Sequence, residues 1–495
     1  MGLLKVKEEV GKHYPGAVMT GLPTDCGVVV TDCMLGLFAF GDREMTTTAI
    51  ARALLVPYER MLGMSVRVHT VVLVGDKAKY VPRAKLPLQQ KRNAQWHKAD
   101  PEANREYADG CKLTPEGIYN VETRAVELVR VSRLMHSRHL RPQLFNFIID
   151  SAINHAWPEH AAVIVDLNNA VPYVKFPGRP EFRAVDPIAH RIGEGDLAVI
   201  YWLKRVHKSN ADERVSLFTI DTDTIPLVVY HYWNTRSRAV WQCGPDVYWE
   251  VDVLVHQLKA CGWSREMFVV MCILSGCDWF NKGDVTNNIG HTFLWNVMGC
   301  IPDPRVPEEG AAAAAAASPH GNGNGGGGKR AAGTSGSGDD PNASGLTWFG
   351  DVADAELDVK HAPRAAATAT ASDAKAKPAR KRRPPPPSRY TVTENRRACL
   401  SGTDVTTFHG FSRLVRCVYD NKAGIQHEKA GAVSTREQFL ERNTRKLLEL
   451  PSDRHLQAAY AKCMSVLRYW ATLQEHEPFV LPPTPVARAS VAILL

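Results

Sequence analysis

Over the first 302 residues, short β-branched and apolar runs alternate with longer stretches whose apolar positions recur at helical spacing. The run GVVVTD ends at Asp32, VVLVGD at Asp76, AVIVD at Asp166 and SLFTID at Asp221. Between the last two, LAVIYWLKRV places Leu197, Ile200, Tyr201 and Val206 on one face of a helix. Near-continuous apolar strands separated by amphipathic helices predict an α/β fold, with a doubly wound, mostly parallel sheet and helices on both faces. In such sheets the ligand crevice lies at the carboxyl ends of the strands, so an Asp closing each run is expected to project into one common site.

The pattern breaks after Pro302. Seven alanines, Ala311 to Ala317, are followed by the glycines Gly325 to Gly328 and a proline-rich basic stretch ending near Arg389. Residues 303–389 therefore read as a disordered linker, because they hold too little apolar surface to offset the entropy of ordering. Its apolar island, Leu346 to Val352, is a docking peptide or a stray patch. The run KPARKRRPPPP from Lys377 fits a nuclear import signal, a polyanion tether or a solvated charge run. Beyond it, residues 390–495 form a small helical region, with Phe439, Leu447, Leu448 and Leu450, then Leu456, Tyr460, Met464 and Leu467, at helical spacing.

Composition narrows the class. Lys plus Arg exceed Asp plus Glu by 8, which modestly favours a polyanionic partner. The eleven cysteines stand singly, with no Cys-x-x-Cys pair, and read as reduced intracellular thiols. Lys5, Lys7, Glu8 and Glu9 interrupt the start where a signal peptide is apolar, and Val6 stands where a myristoylation motif has Ser or Thr. The longest apolar runs, such as Phe268 to Leu274, are far short of the ~18 residues that span a bilayer. The expectation is an intracellular, non-membrane protein of nucleus or cytoplasm, and a monomer.

The chemistry lies in the acids. Asp221-Thr222-Asp223 places two carboxylates two residues apart, on one side of an extended backbone. Glu194 and Asp196 flank Gly195 at a predicted helix N-terminus, and Asp278 closes the apolar run ILSGCD. With Asp32 and Asp76 the set is seven carboxylates, without histidine or cysteine, whose mutual repulsion demands cations. Oxygen-only ligation suits Mg²⁺ or Mn²⁺, and two such ions about 3.5–4 Å apart are a known device for attack of water on a phosphodiester. Any one of these acids is also explained as a strand end or helix cap. After Asp76 comes a donor-rich strip containing Lys77, Lys79, Arg83, Lys85, Gln89, Lys91 and Arg92, in which Lys85, Gln89 and Arg92 share a helical face suited to a terminal phosphate.

Taken in order, the motifs resemble the 5′→3′ exoribonucleases of the Xrn type, within the wider group of flap endonuclease and PIN-like nucleases. The resemblance rests on Tyr14-Pro15, the strand ending at Asp32, Asp76 followed by PRAK and Gln89-Gln90, Cys111-x-Leu113-Thr114-Pro115, GEGD from Gly193, Asp221-x-Asp223 and Gly276-Cys277-Asp278. It implies a PIN-like nuclease core over 1–302, in which Asp32, Asp76, Glu194, Asp196, Asp221, Asp223 and Asp278 hold two Mg²⁺ (or Mn²⁺) ions. It also implies that Lys85, Gln89 and Arg92, with Arg83 and Lys91 beside them, read the 5′-monophosphate of single-stranded RNA. The chain departs from the family at Lys77, where those enzymes have Gly, at Asp196 (Glu), Phe38 (a base-stacking His), Met34 (Asn) and Asn93 (a second Arg). The stretch of about 93–141 becomes a helical arch or entrance wall. Asn288-Ile289-Gly290-His291-Thr292 resembles instead the duplex-gripping turn of flap endonucleases, which keeps a DNA flap nuclease as the alternative. A degenerate nuclease fold serving as a nucleic-acid scaffold is the third reading.

Overall fold

The computed structural model describes residues 10–20, 25–64, 67–77, 110–137, 139–168, 171–185, 193–219, 221–244, 247–277, 279–280, 285, 398–429, 431–443 and 448–473, with Gln90 and Ala94. The linker and basic run of 303–389 lie outside these residues, as does the Asn288–Thr292 turn. Fourteen strands are described: β1 (Val18–Thr20), β2 (Val28–Asp32), β3 (Glu44–Met45), β4 (Thr70–Val74), β5 (Cys111–Thr114), β6 (Gly117–Asn120), β7 (Val126–Glu127), β8 (Val129–Arg130), β9 (Ala162–Asp166), β10 (Tyr173–Lys175), β11 (Phe182–Ala184), β12 (Val215–Phe218), β13 (Ala239–Gly244) and β14 (Val247–Glu250). Nine of them form one sheet, in the order β1-β14-β13-β12-β2-β4-β9-β10-β11.

The centre of that sheet is parallel. β2 pairs with both β4 and β12, β4 with β9, and β12 with β13, all in parallel, while antiparallel strands extend both edges. Read from β2, the chain adds β4 and β9 on one side, then returns to add β12 and β13 on the other. The order therefore reverses between β2 and β12, which is the topological switch point of a doubly wound sheet.

Alternation along the strands explains why both faces are covered. Val28, Val30, Val72 and Val74 enter one core cluster, built with helices Gly195–Ser209, Thr224–Tyr232, Val251–Ala260 and Arg265–Leu274. Val29, Val71, Leu73, Val163 and Val165 enter the opposite cluster, with helices Cys33–Phe40, Thr47–Met64 and Leu140–Ile153. A strand buried on both faces has no solvated side to encode, hence the unbroken VVV and VVLV runs. The expected α/β class and mostly parallel centre are those observed.

Two regions differ from the sequence reading. The described part of the predicted helical arch is mainly β-structure: β5, β6 and β7 form an antiparallel three-stranded sheet, and β8 pairs with β3. Gly117 (φ +154°) lets the start of β6 approach the end of β7, since a Cβ there would lie 2.0 Å from the Glu127 carbonyl oxygen. The C-terminal helices Phe408–Ala423, Arg436–Arg442 and Asp453–Thr472 are helical as predicted for that region, but they share the first core cluster through residues such as Phe411, Leu414, Phe439, Leu456 and Trp470. Of the residues read as helical at the start of the region, Phe439 lies in a helix, whereas Leu448 and Leu450 are buried outside one, and Leu447 lies outside the described residues. Thr407, Thr435 and Ser452 cap these three helices, Thr435 in a reciprocal capping box with Gln438. The run Phe268 to Leu274 lies in a short helix packed between helices Thr224–Tyr232 and Asp453–Thr472. Among the described residues, no helix is long and apolar enough to cross a membrane.

His231 carries part of this docking, donating from Nε2 to the Trp470 carbonyl at 2.9 Å. Burial pushes its pKa down to about 4, with Lys204 and Arg265 adding to the effect and the carbonyl opposing it. The unfolded chain then binds this proton more readily than the folded one, so stability is full above the unfolded histidine pKa of ~6.5 and falls as pH drops towards 4. Thermal melts across that window are expected to show a loss of up to about 3 kcal/mol that His231→Asn removes. Identical pH dependence in the variant would assign the loss to other groups.

Candidate metal centre

β2 ends at Asp32, which also caps the next helix by accepting from the Met34 N–H at 2.9 Å. Asp76 stands two residues beyond β4, in the loop at the same end of the sheet. Asp221 and Asp223 follow β12, and Asp223 is the N-cap of helix Thr224–Tyr232. Glu194 is the N-cap of helix Gly195–Ser209, and Asp196 lies in its first turn. The four segments therefore meet at the carboxyl ends of β2, β4 and β12, beside the switch point.

Gly195 is where they touch. Its N–H donates to Asp76 Oδ1 at 3.0 Å. A Cβ on Gly195 would lie 3.2 Å from Asp32 Oδ2 and 3.3 Å from Oδ1, so the Asp32 carboxylate rests directly against its Cα. Glycine permits this close approach, which draws Asp32 and Asp76 to the helix start that bears Glu194 and Asp196. Arg141 holds the other oxygen of Asp76, donating from Nη2 to Oδ2 at 3.0 Å. The Lys77 N–H donates to the Gly193 carbonyl at 2.7 Å and closes the junction from the β4 side.

The densest charge is at Asp196, Asp221 and Asp223, which each offer one carboxylate oxygen, all three within 4.8 Å of one another. Asp196 and Asp223 are buried and Asp221 half-buried. Two carboxylates about 4 Å apart repel by roughly 4 kcal/mol at an effective dielectric of about 20. A cation among them relieves that repulsion. A hard divalent cation fits a donor set made solely of carboxylate oxygens, and the geometry accommodates Mg²⁺ or Mn²⁺. Asp221 and Asp223 converge through a turn and not through the extended backbone expected: Asp223 has φ −66°, ψ −19°, and its N–H donates to Asp221 Oδ1 at 2.9 Å. Asp223 also lies near Cys272, and burial together with that carboxylate drives the Cys272 thiol far above its ordinary range.

Six of the seven predicted acids are thus gathered at one end of the sheet; Asp278 lies outside the described residues. So do Arg83, Lys85, Gln89, Lys91 and Arg92. Phe38 lies near the C-terminus of helix Cys33–Phe40, which starts at the end of β2, and is 53 % exposed.

Asp166 is the correction. It ends β9 as the pattern required, but it is fully buried and forms an ion pair with Lys77, while Trp202 Nε1 donates to its Oδ2 at 2.8 Å. Lys77, grouped by sequence with the phosphate-reading strip, is equally buried and turned into the protein. Burial lowers its pKa, and Asp166 opposes that shift. One lysine directly after Asp76, together with an extra Asp at a neighbouring strand end, was the available signal for this pair. Arg141 as the partner of Asp76 had no signal, being 65 residues away in sequence.

No protein-family model matches the chain and no curated protein matches it, so the reading of the centre rests on its own residues.

Mn²⁺ titration by calorimetry is expected to show binding that Asp221→Asn and Asp223→Asn each remove. Gly195→Ala is expected to weaken it by about tenfold, because the new methyl displaces Asp32. Unchanged Mn²⁺ affinity in all three would dissolve the centre. Lys77→Met leaves a buried, unpaired Asp166 and should cost about 3–5 kcal/mol in urea denaturation, whereas Lys77→Met with Asp166→Leu should restore most of it. A double variant as unstable as the single one would show that the pair is not the cause.

Proposed function

We propose that the chain is a metal-dependent 5′→3′ nuclease of PIN and flap-endonuclease type, acting by preference on single-stranded RNA that carries a 5′-monophosphate. The observation that carries this reading is the Asp196–Asp221–Asp223 cluster at the switch point, with Asp32, Asp76 and Glu194 gathered beside it. The order of its motifs along the chain favours RNA exonuclease over DNA flap nuclease.

When bound, Mg²⁺ supplies Lewis acidity to a phosphodiester oxygen and lowers the pKa of a coordinated water. Asp196, Asp221 and Asp223 would hold one ion; Asp32, Asp76 and Glu194 would complete the site towards a second. Arg141 orients Asp76, and the Gly195 N–H fixes its other oxygen. Buried carboxylates hold this geometry before substrate arrives, so little reorganisation accompanies charge development at the phosphate. The exposed ring of Phe38 is assigned to stacking on an unpaired base. The strip of Lys85, Gln89 and Arg92 is assigned to the terminal phosphate.

The test is a nuclease assay with Mg²⁺ on 5′-phosphorylated single-stranded RNA, the same RNA with a 5′-hydroxyl, single-stranded DNA and a flapped duplex. The first substrate should be degraded fastest, and excess EDTA should stop the reaction. Asp223→Asn should lower the rate at least ~10²-fold. Preference for the flapped duplex would assign the protein as a DNA flap nuclease, and metal binding without cleavage of any substrate would make it a scaffold.

A further inference from the structure

A second concave site lies in the C-terminal helical layer, a cavity of about 470 Å³ that shares no lining residue with the acidic cluster. That volume is within the ~300–1,000 Å³ range of small-ligand sites. One wall is a face of helix Phe408–Ala423, where Phe408, His409, Ser412, Arg413 and Arg416 recur at helical spacing. Gly431 and Asp453 stand on other sides of the cavity.

Two guanidinium groups three residues apart on a helix repel, and the protein only partly offsets them. Arg416 Nη2 donates to Asp453 Oδ1 at 2.6 Å, but Asp453 sits at the rim with its side chain 75 % exposed. Arg413 Nη2 donates to the Gly431 carbonyl at 2.9 Å, a neutral acceptor. Gly431 (φ +76°) permits this approach, since a Cβ there would lie 3.1 Å from that nitrogen. The Nε–H groups of both arginines are buried without an acceptor, and each guanidinium has five donors in all. The lining thus combines two guanidinium groups with one carboxylate, a hydroxyl and an imidazole. Phe408 adds a flat apolar wall whose ring is packed edge-on against Tyr460, with centroids 5.8 Å apart.

We infer that this cavity binds a nucleoside monophosphate, with the phosphate between Arg413 and Arg416 and the base against Phe408. Paired guanidinium groups match a phosphate in fork geometry, and with Asp453 in the lining they leave one net positive charge for it. An aromatic wall beside them adds affinity for a ligand that carries a planar ring as well as the anion. Ser412 and His409 supply further hydrogen bonds at the same face. The site is independent of the nuclease reading, because none of its residues belongs to the acidic centre.

The experiment is calorimetric titration of the full chain in EDTA, which excludes metal-dependent binding at the acids, with uridine 5′-monophosphate, inorganic phosphate and uridine. Saturable binding is expected for the nucleotide, weaker binding for inorganic phosphate and none for uridine. Arg416→Gln should weaken nucleotide binding by roughly 10 to 150-fold, the worth of a charge-assisted hydrogen bond. Phe408→Leu, which keeps the apolar volume, should weaken the nucleotide and leave inorganic phosphate unchanged, with folding of both variants checked by circular dichroism. No saturable binding of either phosphate ligand by the wild type would overturn the site. Equal affinity for nucleotide and inorganic phosphate would overturn the nucleotide assignment, as would undiminished nucleotide binding in both variants.

Discussion

The contact on which the candidate centre depends is the approach of Gly195 to Asp32 and Asp76. A helix N-terminus meets two strand ends there with no side chain between them, and one backbone N–H is shared with a carboxylate. The contact turns a topological feature, the reversal of strand order between β2 and β12, into a place where acids from distant parts of the chain lie side by side. Some of these acids also have a local reason for their position, as Asp32, which caps its helix, and Asp221, which accepts from the Asp223 N–H, illustrate. Local capping and a shared cation site use the same geometry, because a helix N-terminus tolerates negative charge at little cost.

The protein separates two kinds of buried acid. Asp166 is matched one-to-one by Lys77 and bonded by Trp202, so its charge is balanced within the fold. Asp196, Asp221 and Asp223 concentrate negative charge in a small volume that suits a divalent ion. A buried pair such as Lys77–Asp166 contributes little net stability, but removing one partner is costly. Its consequence is positional: Lys77 follows Asp76 directly, and burying its side chain, with its N–H on the Gly193 carbonyl, sets the course of the loop that presents Asp76.

The C-terminal helices belong to the same economy of packing. Helix Thr224–Tyr232 starts at the acidic cluster and ends near His231, which is bonded to the helix Asp453–Thr472. Trp279 packs on Tyr469 with centroids 4.8 Å apart, and Lys462 lies 5.5 Å from the Phe280 ring centroid. Described residues between 398 and 473 therefore complete the hydrophobic layer over one face of the sheet.

Much of this was legible in the chain. Unbroken β-branched runs encode strands buried on both faces, helical spacing encodes the layers, and an acid at each strand end follows from the way parallel sheets present their carboxyl termini. Composition and order were enough because strand and helix formation are governed by neighbours in sequence. What tertiary structure alone decided was which charges meet. Asp166 and Asp32 end their strands alike, yet one is neutralised in the interior and the other stands at the centre, because the partner of each comes from a distant segment: Lys77 for Asp166, Gly195 for Asp32. The β-sheet built from β5, β6 and β7, the turn that joins Asp221 to Asp223 and the shared core of the C-terminal helices were likewise not legible. The first two are local, a meander of neighbouring strands and a bond between residues two apart, that the apolar pattern does not record, whereas the shared core joins segments far apart in the chain.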